Sequence, residues 1–124
     1  LRSTNMDHLA KEYIISAYSR QEAIVDGLLI DVTDIAQRAG ICYPVAVSRR
    51  LWFEYINHTE PLGRLWEMLW VFKLKAIHED SDMLSFNMSF TGADGNYQLV
   101  NLWAICGPGD LGEEVITIML PDDY

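Results

Sequence analysis

The chain has 124 residues, half of them hydrophobic, with 4 Trp, 6 Tyr and 4 Phe. That fills a single core without a disulfide or metal staple and excludes a disordered polymer. A balance of 18 acidic against 9 basic side chains, net −9, excludes the clustered Lys and Arg that neutralise phosphates, so no direct nucleic-acid binding is expected.

Leu1 to Asn5 reads as a polar lead-in, disordered or appended, with Met6 as the natural start. Met6 to Ala17 reads as a short helix or a docked extended arm. Ser19-Arg20-Gln21-Glu22 is a capping box, in which the Ser hydroxyl and the Glu carboxylate each take a free backbone N–H. Asp26-Gly27 ends that helix after about two turns. Leu28 to Val32 is short and aliphatic and reads as a strand or extended segment. Thr33 is placed to cap a helix from Asp34 to Ala39, which Gly40 ends. Pro44 argues against a central strand over Ile41 to Val47, since proline cannot donate to a ladder. Val45-Ala46-Val47 is left extended or as a first helical turn. Ser48 caps Arg49 to Asn57, where Leu51, Trp52, Tyr55 and Ile56 share a face.

Pro61 suits a first helical position, and the helix to about His78 is the strongest element. Leu62, Leu65, Trp66, Leu69, Phe72 and Ala76 make one stripe, widened by Trp70, Leu74 and Ile77. A helix so widely apolar is expected to be packed on more than one side and to form the centre of the core. Met83 to Phe90 alternates Leu84, Phe86, Met88 and Phe90 against Ser85, Asn87 and Ser89, the pattern of a half-buried antiparallel strand. Gly92 to Asn96 is a hairpin loop. Tyr97 to Cys106 is apolar on both faces and reads as a central strand. Gly107 to Gly112 turns the chain into a last strand, Val115 to Leu120, closed by Pro121 to Tyr124. The expected fold is one α+β domain over residues 1–124. N-terminal helices, one of them central, pack on a C-terminal antiparallel sheet of three strands, or four if residues 28–32 join.

The candidate chemistry is thin. Cys106-Gly107-Pro108-Gly109-Asp110 can be read as a nucleophile beside exposed backbone N–H groups. None of His8, His58 and His78 is spaced to activate the thiol, so the turn chemistry of Gly and Pro is the favoured reading. It lacks the Lys and the following helix of a phosphate loop. Cys42 and Cys106 both sit in apolar surroundings and read as buried free thiols. His78, Glu79, Asp80 and Asp82 lack metal-ligand spacing, so no metal or cofactor is expected. Arg49-Arg50 reads as a solvated helix start, and Glu54, Glu60 and Glu67, spread over two helices, could do paired acid–base work only if the fold brought them within reach, which nothing in the sequence shows. Asn101, on an otherwise apolar face with Leu99, Trp103 and Ile105, needs partners. With Trp103 and Cys106 it marks a speculative ligand pocket. Trp52, Trp66 and Trp103 are core by spacing, whereas Trp70 lies off the main stripe of its helix and is a candidate for exposure. Aromatics are enriched in interfaces, so Trp66 and Trp70 are also the candidate contact for a homodimer.

Four strings resemble a known family. They are Tyr18 to Ile24 running into Asp26 to Val32; Pro44 to Ser48 with Leu51-Trp52; Gly63 to Trp70; and Cys106 to Asp110 with Val115 to Pro121. The family comprises small bacterial proteins of unassigned activity carried on plasmids and other mobile elements, such as integron cassettes. The resemblance covers residues 13–123, and the closing block is its most specific part. Between Trp52 and Gly63 the chain looks shorter than the family pattern. The resemblance implies a mobile-element accessory protein and brings no catalytic residues. The leading expectation is therefore a cytoplasmic, non-enzymatic protein that binds a protein partner, as a homodimer and without membrane contact. The alternatives are an acidic DNA mimic that blocks a restriction enzyme, and a small ligand binder or enzyme at the Asn101, Trp103 and Cys106 pocket. No signal region and no apolar run of about 18 residues is visible.

Overall fold

Five strands form one mixed sheet in the computed structural model, which describes residues 19–92 and 94–124. The reading of Met6 to Ala17 as a helix or arm, the lead-in at Leu1 to Asn5 and His8 lie outside the described residues. In chain order the elements are α1 (Arg20–Val25), β1 (Leu29–Asp31), α2 (Thr33–Arg38), β2 (Val45–Ser48), α3 (Arg49–Leu51), α4 (Pro61–His78), β3 (Met83–Thr91), β4 (Tyr97–Pro108) and β5 (Glu114–Met119). A π-turn, Trp52–Ile56, continues α3, and a 3₁₀ turn, Pro121–Asp123, follows β5. The α+β reading holds.

The sheet order is β1-β2-β5-β4-β3, with β2 and β5 parallel and every other pair antiparallel. This corrects the expectation of a three- or four-stranded antiparallel sheet. The missed strand is β2, and the reason is where Pro44 stands. It lies one residue before the strand, where its missing N–H is not needed. Its carbonyl still accepts from Ile116 N–H at 2.9 Å. All four residues of β2 are buried, and with both faces covered they show no alternation.

The inner face of the sheet carries Val45 and Val47, Ile116 and Ile118, Val100, Leu102 and Ala104, and Leu84, Phe86, Met88 and Phe90, all in one core. Over it lie α2, through Ala36, and α4, through Leu65, Met68, Leu69 and Phe72. Burying each of these larger side chains contributes about 1.5–3 kcal/mol. The helix α4 is not packed on two sides, however. Leu62, Trp66, Trp70, Leu74 and Ile77 are exposed, so its apolar girth exceeds its buried stripe. Glu60, which immediately precedes the helix, is left-handed, φ 55°.

Two caps differ in detail from expectation. Ser48 does cap α3, accepting from Leu51 N–H at 3.2 Å. Beyond Leu51 the helix widens into the π-turn, closed by Asn57 N–H donating to Trp52 O at 2.7 Å. Thr33 is the first residue of α2 rather than its cap, because its hydroxyl is spent on Asp31 Oδ1 at 2.5 Å and on Val45 N–H at 3.2 Å. No helix among the described residues is long and apolar enough to cross a membrane.

Candidate functional site

The string Cys106 to Asp110 is where the structure adds most to the sequence. Cys106, Gly107 and Pro108 belong to β4, paired one to one with Ile116, Val115 and Glu114. The turn proper is Gly109 to Glu113, closed by Gly109 N–H donating to Glu113 O at 2.6 Å. The Glu113 side chain folds back onto Leu111 N–H at 3.0 Å. A Cβ on Gly109 would meet that carboxylate at 2.6–2.9 Å, so glycine leaves room for the fold-back. Gly112 holds φ 82°, a backbone that only glycine adopts without cost.

Asp110 projects from this turn onto the start of α1. Its two oxygens accept from Arg20 N–H at 2.8 Å and Gln21 N–H at 3.0 Å. Ser19 Oγ accepts from Glu22 N–H at 3.0 Å, and Glu22 returns a bond to Ser19 N–H at 3.2 Å. The first free donors of α1 are thus all taken, two of them by a residue 89 or 90 positions away. Arg20 locks the same corner from its side chain, donating to Thr117 Oγ1 at 2.7 Å and Ile116 O at 2.9 Å. The two backbone bonds, and the Arg20 charge after them, hold the Asp110 carboxyl below its ordinary pKa. Burial lowers the pKa of Arg20, against Asp31, Asp110 and Glu113, which raise it. A groove of ≈ 180 Å³ opens there, lined by Arg20, Asp31, Thr33, Asp110 and Glu113 among others.

Cys106 is half-buried against the inner core. Burial pushes its thiol pKa up, and the carboxylates of Glu114 and Asp82 push it further. A nucleophilic thiol needs the opposite shift. Cys42 is exposed, which corrects the expectation that both thiols are buried; both are free.

Asn101 and Trp103 lie on the outer face of the sheet, and Cys106, of opposite parity on β4, lies on the inner one. The three therefore share no cavity wall. Asn101 Nδ2 donates to Ser85 Oγ at 2.9 Å, Asn87 Oδ1 at 3.1 Å and Phe86 O at 3.3 Å. Trp103 is half-buried under Tyr124, edge-on at 5.6 Å. Asn101 also lines a groove of ≈ 280 Å³ with Arg50, Tyr55, Leu99, Pro121 and Asp122. Both grooves are smaller than the roughly 300–1,000 Å³ of a typical small-molecule site.

The remaining candidates are surface features. Arg50 pairs with Glu54 at 3.0 Å and Asp123 at 3.5 Å, while Arg49 lies 5.3 Å over the Phe53 ring. His58 Nε2 contacts Glu54 O at 2.7 Å. His78 ends α4, beside the Lys75–Glu79 ion pair. No group of three potential metal ligands occurs among the described residues.

On α4, Trp66 and Trp70 are 38% and 39% exposed. Their rings meet edge-on at 6.3 Å, and Lys73 Nζ sits 4.7 Å over the Trp70 ring. Lys73 also donates to Ala39 O at 3.0 Å, which ties this side of the helix to the end of α2. Sequence reasoning missed the long-range polar locks of the fold: Asp110 on α1, Ser48 Oγ donating to Asp123 Oδ2 at 2.6 Å, and Arg64 on Thr91 O at 2.6 Å. No family model, curated protein or solved structure matches the chain.

Proposed function

We propose that the chain is a non-enzymatic binding protein, a homodimer that serves the mobile elements on which the family it resembles is carried. Its contact surface for a protein partner is the outer stripe of α4. One observation carries this reading: Leu62, Trp66, Trp70, Leu74 and Ile77 stay exposed along an 18-residue helix whose opposite face is already fully used. Aligned apolar exposure of this kind marks interaction sites more often than chance. Trp66 and Trp70 brace each other and Lys73, so they lose little freedom on binding and suit the anchor role that aromatics take in interfaces. The net charge of −9 favours a partner with an apolar strip and a basic rim.

The test is chemical cross-linking in the native host with the full chain and with a Trp66→Ser/Trp70→Ser variant. A partner that cross-links through Lys73 or Lys75 and vanishes with the double substitution supports the reading. Equal capture by both proteins, or cross-links that avoid α4, overturns it. The substituted side chains are exposed, so the fold should survive within about 0.5 kcal/mol.

A further inference from the structure

The sheet has two edges of unequal kind. One is β1, three residues long and ending in Asp31. The other is β3, nine residues of sequence Met-Leu-Ser-Phe-Asn-Met-Ser-Phe-Thr. Natural edge strands are guarded by charges, prolines, bulges or shortness. β3 contains no charged residue and no proline. Its register with β4 runs one to one from Met83↔Ile105 to Thr91↔Tyr97 with no bulge.

Which backbone groups face outward follows from the ladder. Cys106 N–H donates to Asp82 O at 2.8 Å, and Gly92 N–H donates to Asn96 O at 2.8 Å. Alternation along an antiparallel pair then directs the N–H and C=O of Leu84, Phe86, Met88 and Phe90 to β4. Those of Met83, Ser85, Asn87, Ser89 and Thr91 point away from the sheet. At the two ends these outward groups are occupied. Ser81 Oγ donates to Met83 O at 2.9 Å and accepts from Met83 N–H at 3.3 Å. Arg64 Nη2 donates to Thr91 O at 2.6 Å. Between the ends, the N–H and C=O of Ser85, Asn87 and Ser89 have no partner among the described residues.

We infer that this stretch is the homodimer seam, where β3 of a second copy pairs antiparallel about a two-fold axis at Asn87. The sequence is matched to itself in that register. Asn87 faces Asn87, Ser85 faces Ser89, Phe86 faces Met88 and Leu84 faces Phe90, so apolar meets apolar on the inner face and polar meets polar on the outer. The residues whose outward backbone groups lack a partner among the described residues become the hydrogen-bonded pairs, each exchanging two bonds. The Asn101–Asn87 amide contact, 3.1 Å within one copy, extends across the axis as a row of asparagines. The contact also closes. It uses the long edge of both copies and leaves only the short β1 edges outside, so it yields a dimer and no fibre. The like charge of the two copies opposes approach, so added salt tightens the pair.

This seam deepens the proposed homodimer and is independent of the α4 surface. Sedimentation velocity on the full chain, at high micromolar concentration and with salt raised to about 0.5 M, should show a dimer. Asn87→Pro removes an outward N–H at an edge position, where proline is tolerated, and should give a folded monomer. Asn87→Lys sets two like charges opposite each other and should weaken association roughly tenfold or more. Asn87→Cys in a Cys42→Ser background should form an interchain disulfide on mild oxidation. The Cα separation of a hydrogen-bonded pair, about 5.5 Å, allows that bond. Trp66→Ser/Trp70→Ser should leave the dimer intact, which separates this result from the fate of the α4 reading. A wild-type monomer under these conditions overturns the inference. So does a dimer that survives Asn87→Pro and Asn87→Lys, or one that dissociates only with the tryptophan substitutions.

Discussion

On the outer face of the sheet α1 packs beside β1 and holds β5 through Arg20, and the Pro121–Tyr124 segment packs on β4 at Trp103 and holds β2 through Asp123, whereas the outward side chains of β3 and of the first part of β4 lie open. On the closed half, polar groups are consumed in pairs across long sequence distances. Asp110 takes the α1 amides, Arg20 takes Ile116 O and Thr117, and Ser48 takes Asp123. On the open half, Ser85, Asn87, Ser89, Leu99 and Asn101 are exposed, and the outward backbone groups of Ser85, Asn87 and Ser89 have no partner among the described residues. One half is finished by its own chain. The other half is the one on which the proposed second copy would dock. Substitutions on the two halves should therefore separate two measurements, stability and association.

The largest effect is expected at Arg20. Arg20→Ala leaves Ile116 O and the Thr117 hydroxyl without their charged donor, which should lower stability by about 1–2 kcal/mol in urea unfolding. The proposed dimer, at the far edge, should be unaffected at concentrations where the protein stays folded. Asn87→Lys should do the reverse: stability of the isolated chain within about 0.5 kcal/mol of wild type, association lost. If Arg20→Ala weakened the dimer as much as Asn87→Lys, the two halves would not be independent.

A smaller effect with a defined pH signature is expected at Asp110. Its folded pKa is depressed by the two N–H groups it accepts from, Arg20 and Gln21. A depressed carboxylate contributes stability above its unfolded pKa of about 4, and that contribution is lost as pH falls through the lower folded value. Thermal unfolding of Asp110→Asn should thus show a lower Tm than wild type at neutral pH. The gap should close below pH 4, as the wild type loses what the variant never had. A gap that stays constant down to about pH 2 would mean that the charge on Asp110 does not matter.

The sequence disclosed elements governed by short-range rules and hid those governed by distant ones. The capping box at Ser19, the Ser48 cap, the alternation of β3 and the proline start of α4 were legible because each is a relation among residues a few positions apart. Strand β2 was not legible. Its boundary proline sits just outside the ladder, and its two covered faces erase the period of two. The exposure of Leu62 and Trp66 was not legible either, because a widely apolar helix looks the same whether its surplus faces a second layer or solvent. The candidate set Asn101, Trp103 and Cys106 spans both parities of one strand, and parity alone divides it between the two faces. The string Cys106 to Asp110 was read as a turn, whereas its first three residues finish β4 and the turn begins only at Gly109. That its aspartate caps a helix 89 positions earlier needed the sheet to bring β5 beside α1.

Cys106 offers the finest comparison of the two halves, because it stands between them. Its N–H donates to the carbonyl of Asp82, just before β3, and its residue pairs with Ile116, whose carbonyl Arg20 holds. The half-buried thiol has a raised pKa, so it should alkylate slowly and through local opening, well behind the exposed Cys42. In a Cys42→Ser background the labelling rate then reads how often β4 and β5 part near the corner. Arg20→Ala should raise that rate several-fold, following the loss of about 1 kcal/mol or more in the corner. Asn87→Lys, about five rungs along the sheet, should leave it unchanged. A rate that rises equally in both variants would show that corner and edge open as one cooperative unit, and the division of the sheet into a closed and an open half would then describe its surface and not its energetics.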